Sequence, residues 1–322
     1  MGMLNKIGPA LKAQSWLQPF LYRVYYIFKI LTNGGGRGKN ATRPNKILFI
    51  IGCGRSGNTL LRRLLMERFD IYIPPETYVL TRQINQYYFS VSLKWPEKVD
   101  VILSMLENHP EFSTFGIESF YDFKCVAKKW PEEKQTFVDL IESLYRWLGE
   151  SNNIKSQWVG DKTPLNTLSL GMINLGFPNA KFIYLERDPV DVVQSYLDTG
   201  LYQNAESAAQ RWLVSLKSWR SFKRIKKEED CFELRYEDLV TNPSVLLDEI
   251  GNKFAIPQRD AERHFERSAL GDVGVYDHHS NVLNVPSATS IGKGRARVTQ
   301  QDLKIIRKVL GRAAKGRGYP KI

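Results

Sequence analysis

The segment that constrains this chain most runs from residue 46 to residue 69, where a strand, a glycine-rich turn and a helix follow one another. "KILFII" (46–51) is a short apolar run typical of a buried strand, and "NTLLRRLLMERF" (58–69) carries leucines at helical spacing. The turn between them, "GCGRSGNT" (52–59), matches the phosphate-loop pattern G-x-x-x-x-G-K-[ST] except at Asn58, which replaces the lysine. Backbone N–H groups converge in such a turn, and the start of the helix adds a partial positive charge. The unit therefore predicts an α/β fold with an anion site at the turn.

The missing lysine changes the kind of phosphate that this loop suits. In phosphate-loop kinases the lysine contacts the β and γ phosphates, and Asn58 cannot supply that charge. Arg55, three residues earlier, can supply it from within the loop. We therefore expect a single phosphate group near the turn rather than a triphosphate with magnesium. An ordinary strand-to-helix turn without a ligand is the alternative that this segment alone leaves open.

A second strand-to-helix unit, "KFIYLERDPVDVVQSYLD" (181–198), has a similar layout. Asp188 is a suitable N-cap and Pro189 a suitable first helical residue. Arg187 then lies at the end of the strand, and Ser195 lies about two turns into the helix. A forked guanidinium and a hydroxyl near a helix start suit a dianionic phosphate. The alternative is a surface arginine and a solvated helical serine.

The two units together resemble those of sulfotransferases, the enzymes that use 3′-phosphoadenosine 5′-phosphosulfate (PAPS). "GRSGNTLLRRLL" (54–65) resembles their 5′-phosphosulfate loop, which commonly reads R-S-G-T-T-L, and Asn58 departs from that pattern. Arg187 and Ser195 resemble their 3′-phosphate site. Three further segments give weaker matches of the carbohydrate and tyrosylprotein type: "WVGDKTPLN" (158–166), "CFELRYEDLVTNP" (231–243) and "SATSIGKGRARV" (287–298).

The resemblance implies a set of site residues. The implied catalytic residues are Glu76, Arg55 and Lys162. The implied nucleotide-binding residues are Arg55, Ser56, Gly57, Asn58, Thr59, Leu60, Arg187, Ser195, Tyr236, Ser290, Lys293 and Arg295. Glu76 is the candidate general base, because "DIYIPPETYVL" (70–80) resembles an acidic segment of those branches and the K-T-H histidine of small-molecule sulfotransferases is absent. A solvated loop glutamate is the alternative for Glu76, and His278 or His279 is the reserve base.

The resemblance also implies the fold and the reaction. We expect an α/β domain over residues 45–322, with a parallel β-sheet flanked by helices in a P-loop NTPase-like sulfotransferase fold. The stretch 77–157 carries no motif and is predicted to be mostly helical, notably over 132–150. The expected reaction moves a sulfuryl group from PAPS to a hydroxyl of a carbohydrate, lipid or phenol. A phosphate-loop nucleotide kinase and a non-catalytic nucleotide or polyanion binder are the alternatives.

The net charge of +12 is concentrated at the two ends of the chain. Residues 1–46 carry 8 basic side chains and no acid, and residues 293–322 carry 10 basic and 1 acidic, so the remainder is net acidic. This distribution argues against a uniformly basic nucleic-acid binder. Residues 1–44 form a predicted extension that ends in a glycine-rich linker (33–40), and its basic, aromatic segment 16–31 could contact a membrane surface or fold onto the domain.

The three cysteines, Cys53, Cys125 and Cys231, are too few and too widely spaced for a disulfide framework. Reduced thiols are the default in that case, which favours the cytoplasm. No cluster of cysteine and histidine has the spacing of a metal site, so we expect no metal. The resemblance implies PAPS as the co-substrate.

Overall fold

The computed structural model describes residues 46–90, 92–260, 270–274 and 283–322. The predicted extension 1–44, with its segment 16–31, lies outside the described residues, and so do His278 and His279.

Five parallel strands form one sheet at the centre of the described chain. They are β1 Ile47–Gly52, β2 Ile71–Tyr72, β3 Trp158–Lys162, β4 Lys181–Glu186 and β5 Cys231–Arg235. Their order is β2-β3-β1-β4-β5, and each neighbouring pair is parallel. The predicted parallel sheet is therefore confirmed. From β1 the chain runs to β2 and β3 on one side of β1, and it then crosses to β4 and β5 on the other side. Ligands of open α/β sheets bind at such a switch point, outside the carboxyl ends of the strands.

Helices cover the sheet on both faces, as parallel sheets require. The α-helices of the described residues are α1 Asn58–Arg68, α2 Leu80–Phe89, α3 Trp95–Glu107, α4 Tyr121–Ala127, α5 Phe137–Ser151, α6 Leu170–Gly176, α7 Pro189–Asp198, α8 Ala205–Lys223, α9 Tyr236–Thr241, α10 Pro243–Phe254, α11 Lys293–Arg297 and α12 Gln300–Ala314. Short 3₁₀ helices lie at Pro110–Phe115, Glu132–Lys134, Pro164–Ser169, Glu228–Asp230, Asp272–Gly274 and Ala288–Ser290. No helix in this part of the chain has the length and apolar character needed to cross a membrane.

The core lies between the sheet and its helices. Ile47 to Ile51 of β1 are all 0% exposed, which is why this strand consists of apolar residues without alternation. Phe49 packs between Phe177 and Phe182 at ring-centroid distances of 5.3 and 5.4 Å. This buried strand fixes the position of the loop that follows it.

The helix that follows β4 begins as its sequence predicts. The Asp188 side chain accepts hydrogen bonds from the backbone N–H groups of Val190 (2.8 Å) and Asp191 (3.4 Å), and Pro189 is the first helical residue. The cap and the proline together determine where α7 begins. Arg187 is thereby held between the end of β4 and the start of α7.

The predicted helix over 132–150 begins later than expected. Residues Glu132–Lys134 form a separate 3₁₀ turn, and α5 begins at Phe137. The reason is the cap at Thr136, whose hydroxyl oxygen accepts a hydrogen bond from the N–H of Asp139 at 3.0 Å.

Candidate active site

The loop between β1 and α1 has a strained backbone. Arg55 has a φ of 66° and Gly57 a φ of 94°, both in the left-handed region. For a non-glycine residue such as Arg55 this conformation costs of order 1–3 kcal/mol, and it persists only where the surroundings impose it. The strained conformation of Arg55 therefore indicates a functional turn, as expected of a loop whose backbone N–H groups bind an anion.

Asn58 braces this loop from within. Its side-chain amide donates a hydrogen bond to the carbonyl of Cys53 at 2.9 Å, and the residue is 4% exposed. At the other end of the loop, the Thr167 hydroxyl accepts from the N–H of Gly52 at 2.8 Å and donates to its carbonyl at 2.9 Å. The residue at the lysine position of the pattern is therefore a neutral structural brace within the loop.

The two predicted phosphate sites meet at Arg55. Its Nε donates a hydrogen bond to the hydroxyl of Ser195 at 3.1 Å, and Arg187 Nη1 donates to the Arg55 carbonyl at 3.3 Å. Burial lowers the pKa of Arg55, the charge of Arg187 lowers it further, and Tyr196 acts in the opposite direction. An anion bound beside these two guanidinium groups would offset both the burial and the repulsion.

Arg187 is held over an aromatic ring. Its guanidinium carbon lies 4.4 Å from the centroid of the Tyr236 ring, and its Nη2 donates to the carbonyl of Ser290 at 2.8 Å. The hydroxyls of Tyr236 and Ser290 are hydrogen-bonded at 2.6 Å. The buried Nε of Arg187 has no partner among the described residues. Three predicted binding residues thus contact one another, and one donor at their centre is available to an acceptor.

The segment 292–295 is anchored on the start of α7. The carboxylate of Asp191, which is 1% exposed, accepts from the N–H groups of Gly292 (2.8 Å), Gly294 (2.8 Å) and Arg295 (3.2 Å). It also lies 3.6 Å from Arg187. Asp191 therefore links the C-terminal segment to the arginine predicted to bind the 3′-phosphate.

The three basic residues of "GKGRAR" (292–297) occupy different environments. Lys293 and Arg297 line the cavity described below. Arg295 does not, because its Nε donates to Asp188 at 2.7 Å and its Nη2 donates to the carbonyl of Pro320 at 2.8 Å. The guanidinium of Arg295 thus contacts the helix cap and the C-terminal tail in this structure.

Glu76 and Lys162 form an ion pair. The Lys162 ammonium donates to Glu76 Oε1 at 2.7 Å and lies 3.4 Å from Asp272 Oδ2. The Lys162 side chain is 0% exposed, whereas that of Glu76 is 18% exposed and reaches the cavity. The predicted base therefore faces the cavity, with the predicted catalytic lysine directly behind it.

A buried aspartate holds the Glu76 loop against β3. Asp161 accepts hydrogen bonds from Thr77 (2.8 Å), Tyr145 (2.7 Å) and Asn166 (2.8 Å) and is 1% exposed. Burial raises the pKa of Asp161, and its hydrogen bonds with groups that include Tyr145 and Thr77 oppose that shift only in part. This network fixes Thr77, and with it the backbone next to Glu76.

These segments enclose one cavity of about 680 Å³, a size typical of small-molecule sites. The predicted residues that line it are Arg55, Gly57, Asn58, Thr59, Leu60, Glu76, Arg187, Ser195, Tyr236, Ser290 and Lys293. The predicted residues that do not line it are Ser56, Lys162 and Arg295. Lining residues that sequence reasoning missed include Asp191, Tyr196, Arg211 and Asp272. Asp191 had a signal, as a second acid in the first turn of α7; Asp272 had none, because it lies in no motif.

Comparison with known proteins relates this chain to one family of enzymes. A model described as "Sulfotransferase family" matches residues 48–260, more than half of the chain. A protein-tyrosine sulfotransferase of Drosophila melanogaster is 27% identical over 248 residues, which cover 74% of this chain and 44% of that protein. An omega-hydroxy-beta-dihydromenaquinone-9 sulfotransferase of Mycobacterium tuberculosis is 24% identical over 274 residues, covering 74% and 70%. This chain thus spans less than half the length of the fly relative.

A solved structure shares the fold. The sulfotransferase domain of the Synechococcus PCC 7002 olefin synthase matches with a TM-score of 0.52 and 21% identity, over 84% of this chain and 96% of that domain. The predicted sulfotransferase fold is thereby confirmed. The functional roles of individual residues stay predictions.

Proposed function

This chain belongs to the sulfotransferase family, and we propose that it transfers a sulfuryl group from PAPS to a hydroxyl group of an acceptor. The observation that carries the proposal is the meeting of Arg187, Ser195 and Arg55 at one loop. A 3′-phosphorylated nucleotide with a phosphosulfate at its 5′ position carries anions at two nearby points. Two guanidiniums, a hydroxyl and the amides of a helix start form a matching set of donors.

In the proposed reaction the acceptor oxygen attacks sulfur, and the bond from sulfur to the bridging phosphate oxygen breaks. Adenosine 3′,5′-bisphosphate leaves with that electron pair, and Glu76 takes the hydroxyl proton. Glu76 suits this role because its carboxylate reaches the cavity and its neighbour Thr77 is fixed by Asp161. Arg55 and the loop amides would stabilise the charge that develops on the leaving group.

Arg187, Ser195 and Tyr236 would recognise the nucleotide. Arg187 and Ser195 would bind the 3′-phosphate, which distinguishes PAPS from ATP. Tyr236 supports this role because its ring contacts Arg187 and its hydroxyl contacts Ser290. The acceptor is proposed to be a carbohydrate, a lipid or a phenol.

Family membership favours this reaction over the two alternatives. A phosphate-loop kinase needs a cation at the position of Asn58, where this chain has a neutral brace. A non-catalytic nucleotide or polyanion binder would keep the site but show no turnover, so the decisive measurement is turnover.

The test is transfer of radiolabelled sulfate from PAPS to a panel of carbohydrates, phenols and lipids, with Glu76→Gln as the matched variant. The wild type should label at least one acceptor class. Glu76→Gln should lose about 10²–10⁴-fold in rate while binding adenosine 3′,5′-bisphosphate normally, because other groups hold the nucleotide. Near-wild-type turnover of Glu76→Gln would transfer the role to His278 or His279, which their alanine variants would show. Bisphosphate binding without transfer to any acceptor would favour the non-catalytic alternative.

We also propose a reducing compartment, the cytoplasm. All three cysteines are unpaired, and Cys125 is exposed. Alkylation of the protein isolated under non-reducing conditions should label Cys125, and a mixed disulfide at that position would contradict the proposal. Membrane contact through residues 16–31 and the domain boundary at residue 45 stay predictions.

A further inference from the structure

Four charged side chains form a continuous chain from helix α1 to the cavity. Arg62 Nη1 donates to Asp272 Oδ1 at 2.5 Å, Asp272 Oδ2 lies 3.4 Å from Lys162 Nζ, and Lys162 Nζ donates to Glu76 Oε1 at 2.7 Å. The exposure of the side chains is 0% for Arg62, 5% for Asp272 and 0% for Lys162. The charges therefore alternate through a region that is almost closed to water, and the carboxylates Glu76 and Asp272 both lie in the cavity wall while Arg62 and Lys162 do not.

Packing fixes the position of Asp272. Its neighbours Leu270 and Val273 are 0% and 5% exposed. Gly271 has a φ of 61°, and a Cβ atom there would lie 2.2 Å from the carbonyl oxygen of Thr114. The backbone around Asp272 is therefore pressed against the Pro110–Phe115 turn, so the carboxylate stands at a defined place between two cations.

The charge of this group changes during the proposed reaction. In the ground state, two cations and two carboxylates balance. When Glu76 takes the proton of the acceptor, it becomes neutral, and Lys162 loses the negative charge of its nearer partner. Without a second anion, a buried ammonium would be left unpaired at that moment, which is strongly unfavourable.

On the basis of the proposed function, we propose that Asp272 is a positioning residue that keeps Lys162 paired when Glu76 is protonated. The group Arg62–Asp272–Lys162–Glu76 then passes from neutral to a net charge of +1. That positive charge arises in the cavity wall while negative charge develops on the leaving phosphate, so each change stabilises the other.

The simpler possibility is that Asp272 serves Arg62 alone. Arg62 is fully buried, and Asp272 is its carboxylate partner. The two roles use different oxygens of Asp272, Oδ1 towards Arg62 and Oδ2 towards Lys162. A pair of variants separates them. Asp272→Asn removes the carboxylate charge that pairs with both cations. The double variant Arg62→Gln with Asp272→Asn removes the buried positive charge of Arg62 as well.

The experiment measures kcat against pH, affinity for adenosine 3′,5′-bisphosphate and melting temperature for the wild type and these variants. Asp248→Asn is the matched control, because Asp248 pairs with Arg68 on the surface. We expect Asp272→Asn to lower kcat roughly ten- to a hundredfold, the factor of one charge-assisted hydrogen bond, with bisphosphate affinity unchanged. The double variant should melt higher than Asp272→Asn and keep its defect in kcat.

The pH profile provides the second readout. Glu76 faces Lys162, and Asp272 lies on the other side of that lysine. The charge of Glu76 also acts on Asp161, which lies next to Lys162 on β3. Removing the negative charge of Asp272 makes proton uptake by Glu76 less favourable, so the acidic limb of the kcat profile should move to lower pH in Asp272→Asn. The double variant also loses the positive charge of Arg62, so its limb should move less. Recovery of kcat in the double variant, or an unmoved limb in Asp272→Asn, would overturn the proposal. A wild type without transfer to any acceptor would instead refute the proposed function.

Discussion

Gly57→Ala tests whether the packing of the loop shapes the nucleotide site. Gly57 has a φ of 94°, and an added Cβ would lie 2.4 Å from Cδ2 and 2.7 Å from Cε2 of Tyr236. Tyr236 is 8% exposed and is held on its other sides by Arg187 and Ser290. An alanine at position 57 therefore cannot be accommodated unless the loop or the tyrosine ring moves.

Two contributions determine the free-energy cost of Gly57→Ala. A left-handed conformation costs an L-residue roughly 1–2 kcal/mol, and forcing a methyl group into a well-packed region costs roughly 1–3 kcal/mol more. The sum is about 2–5 kcal/mol. Any relief that displaces Tyr236 also displaces Arg187, which lies 4.4 Å from the ring. Since about 1.4 kcal/mol is tenfold in affinity, we expect adenosine 3′,5′-bisphosphate to bind at least about tenfold more weakly.

Titration calorimetry and thermal melting measure this outcome. Gly311→Ala is the control, because an added Cβ at this helical position would meet only Arg307 Cγ, at an ordinary 3.6 Å. That control should bind the bisphosphate normally and gain about 0.5–1 kcal/mol in stability, since alanine is the better helix former. Wild-type affinity and melting temperature in Gly57→Ala would refute the idea that the contact between the loop and Tyr236 determines the site.

Two further predictions concern the arginine after β4 and the residue at the lysine position. Arg187→Ala should weaken calorimetric binding of adenosine 3′,5′-bisphosphate by roughly ten- to a hundredfold and leave AMP binding almost unchanged, because Arg187 is proposed to bind the 3′-phosphate; an equal loss for both ligands would contradict that role. Asn58→Lys should lower the melting temperature, because it removes the hydrogen bond to Cys53, and should not create ATP hydrolysis, whereas magnesium-dependent ATPase activity in this variant would support the kinase alternative.

The parts of the fold that the sequence predicts are those with local causes. The strands 46–51 and 181–186 and the helix 58–69 agree with the structure within one residue, because apolar runs, glycines and a cap lie next to one another along the chain. The late start of α5 also had a local signal, since Thr136 and Asp139 have the spacing of a helix cap. Propensity alone missed it.

The roles of buried polar groups could not be predicted in the same way. Lys162 and Asp272 are 110 residues apart in sequence, and Arg62 and Asp272 are 210 apart. No local sequence pattern predicts such contacts, because they form only when the sheet and its flanking segments fold together. The sequence predicts a catalytic role for Lys162 by resemblance, but its place behind Glu76 required the structure.

The missing lysine of the phosphate loop is explained by how the loop is held. Neutral side chains brace both ends, Asn58 on the carbonyl of Cys53 and Thr167 on the backbone of Gly52. A lysine at position 58 could not donate the same buried amide hydrogen bond. The positive charge comes instead from Arg55, within the turn, and from Arg187, at the end of the neighbouring strand. Such a division of roles suits an anion whose charge is spread over two sites, as in the proposed PAPS.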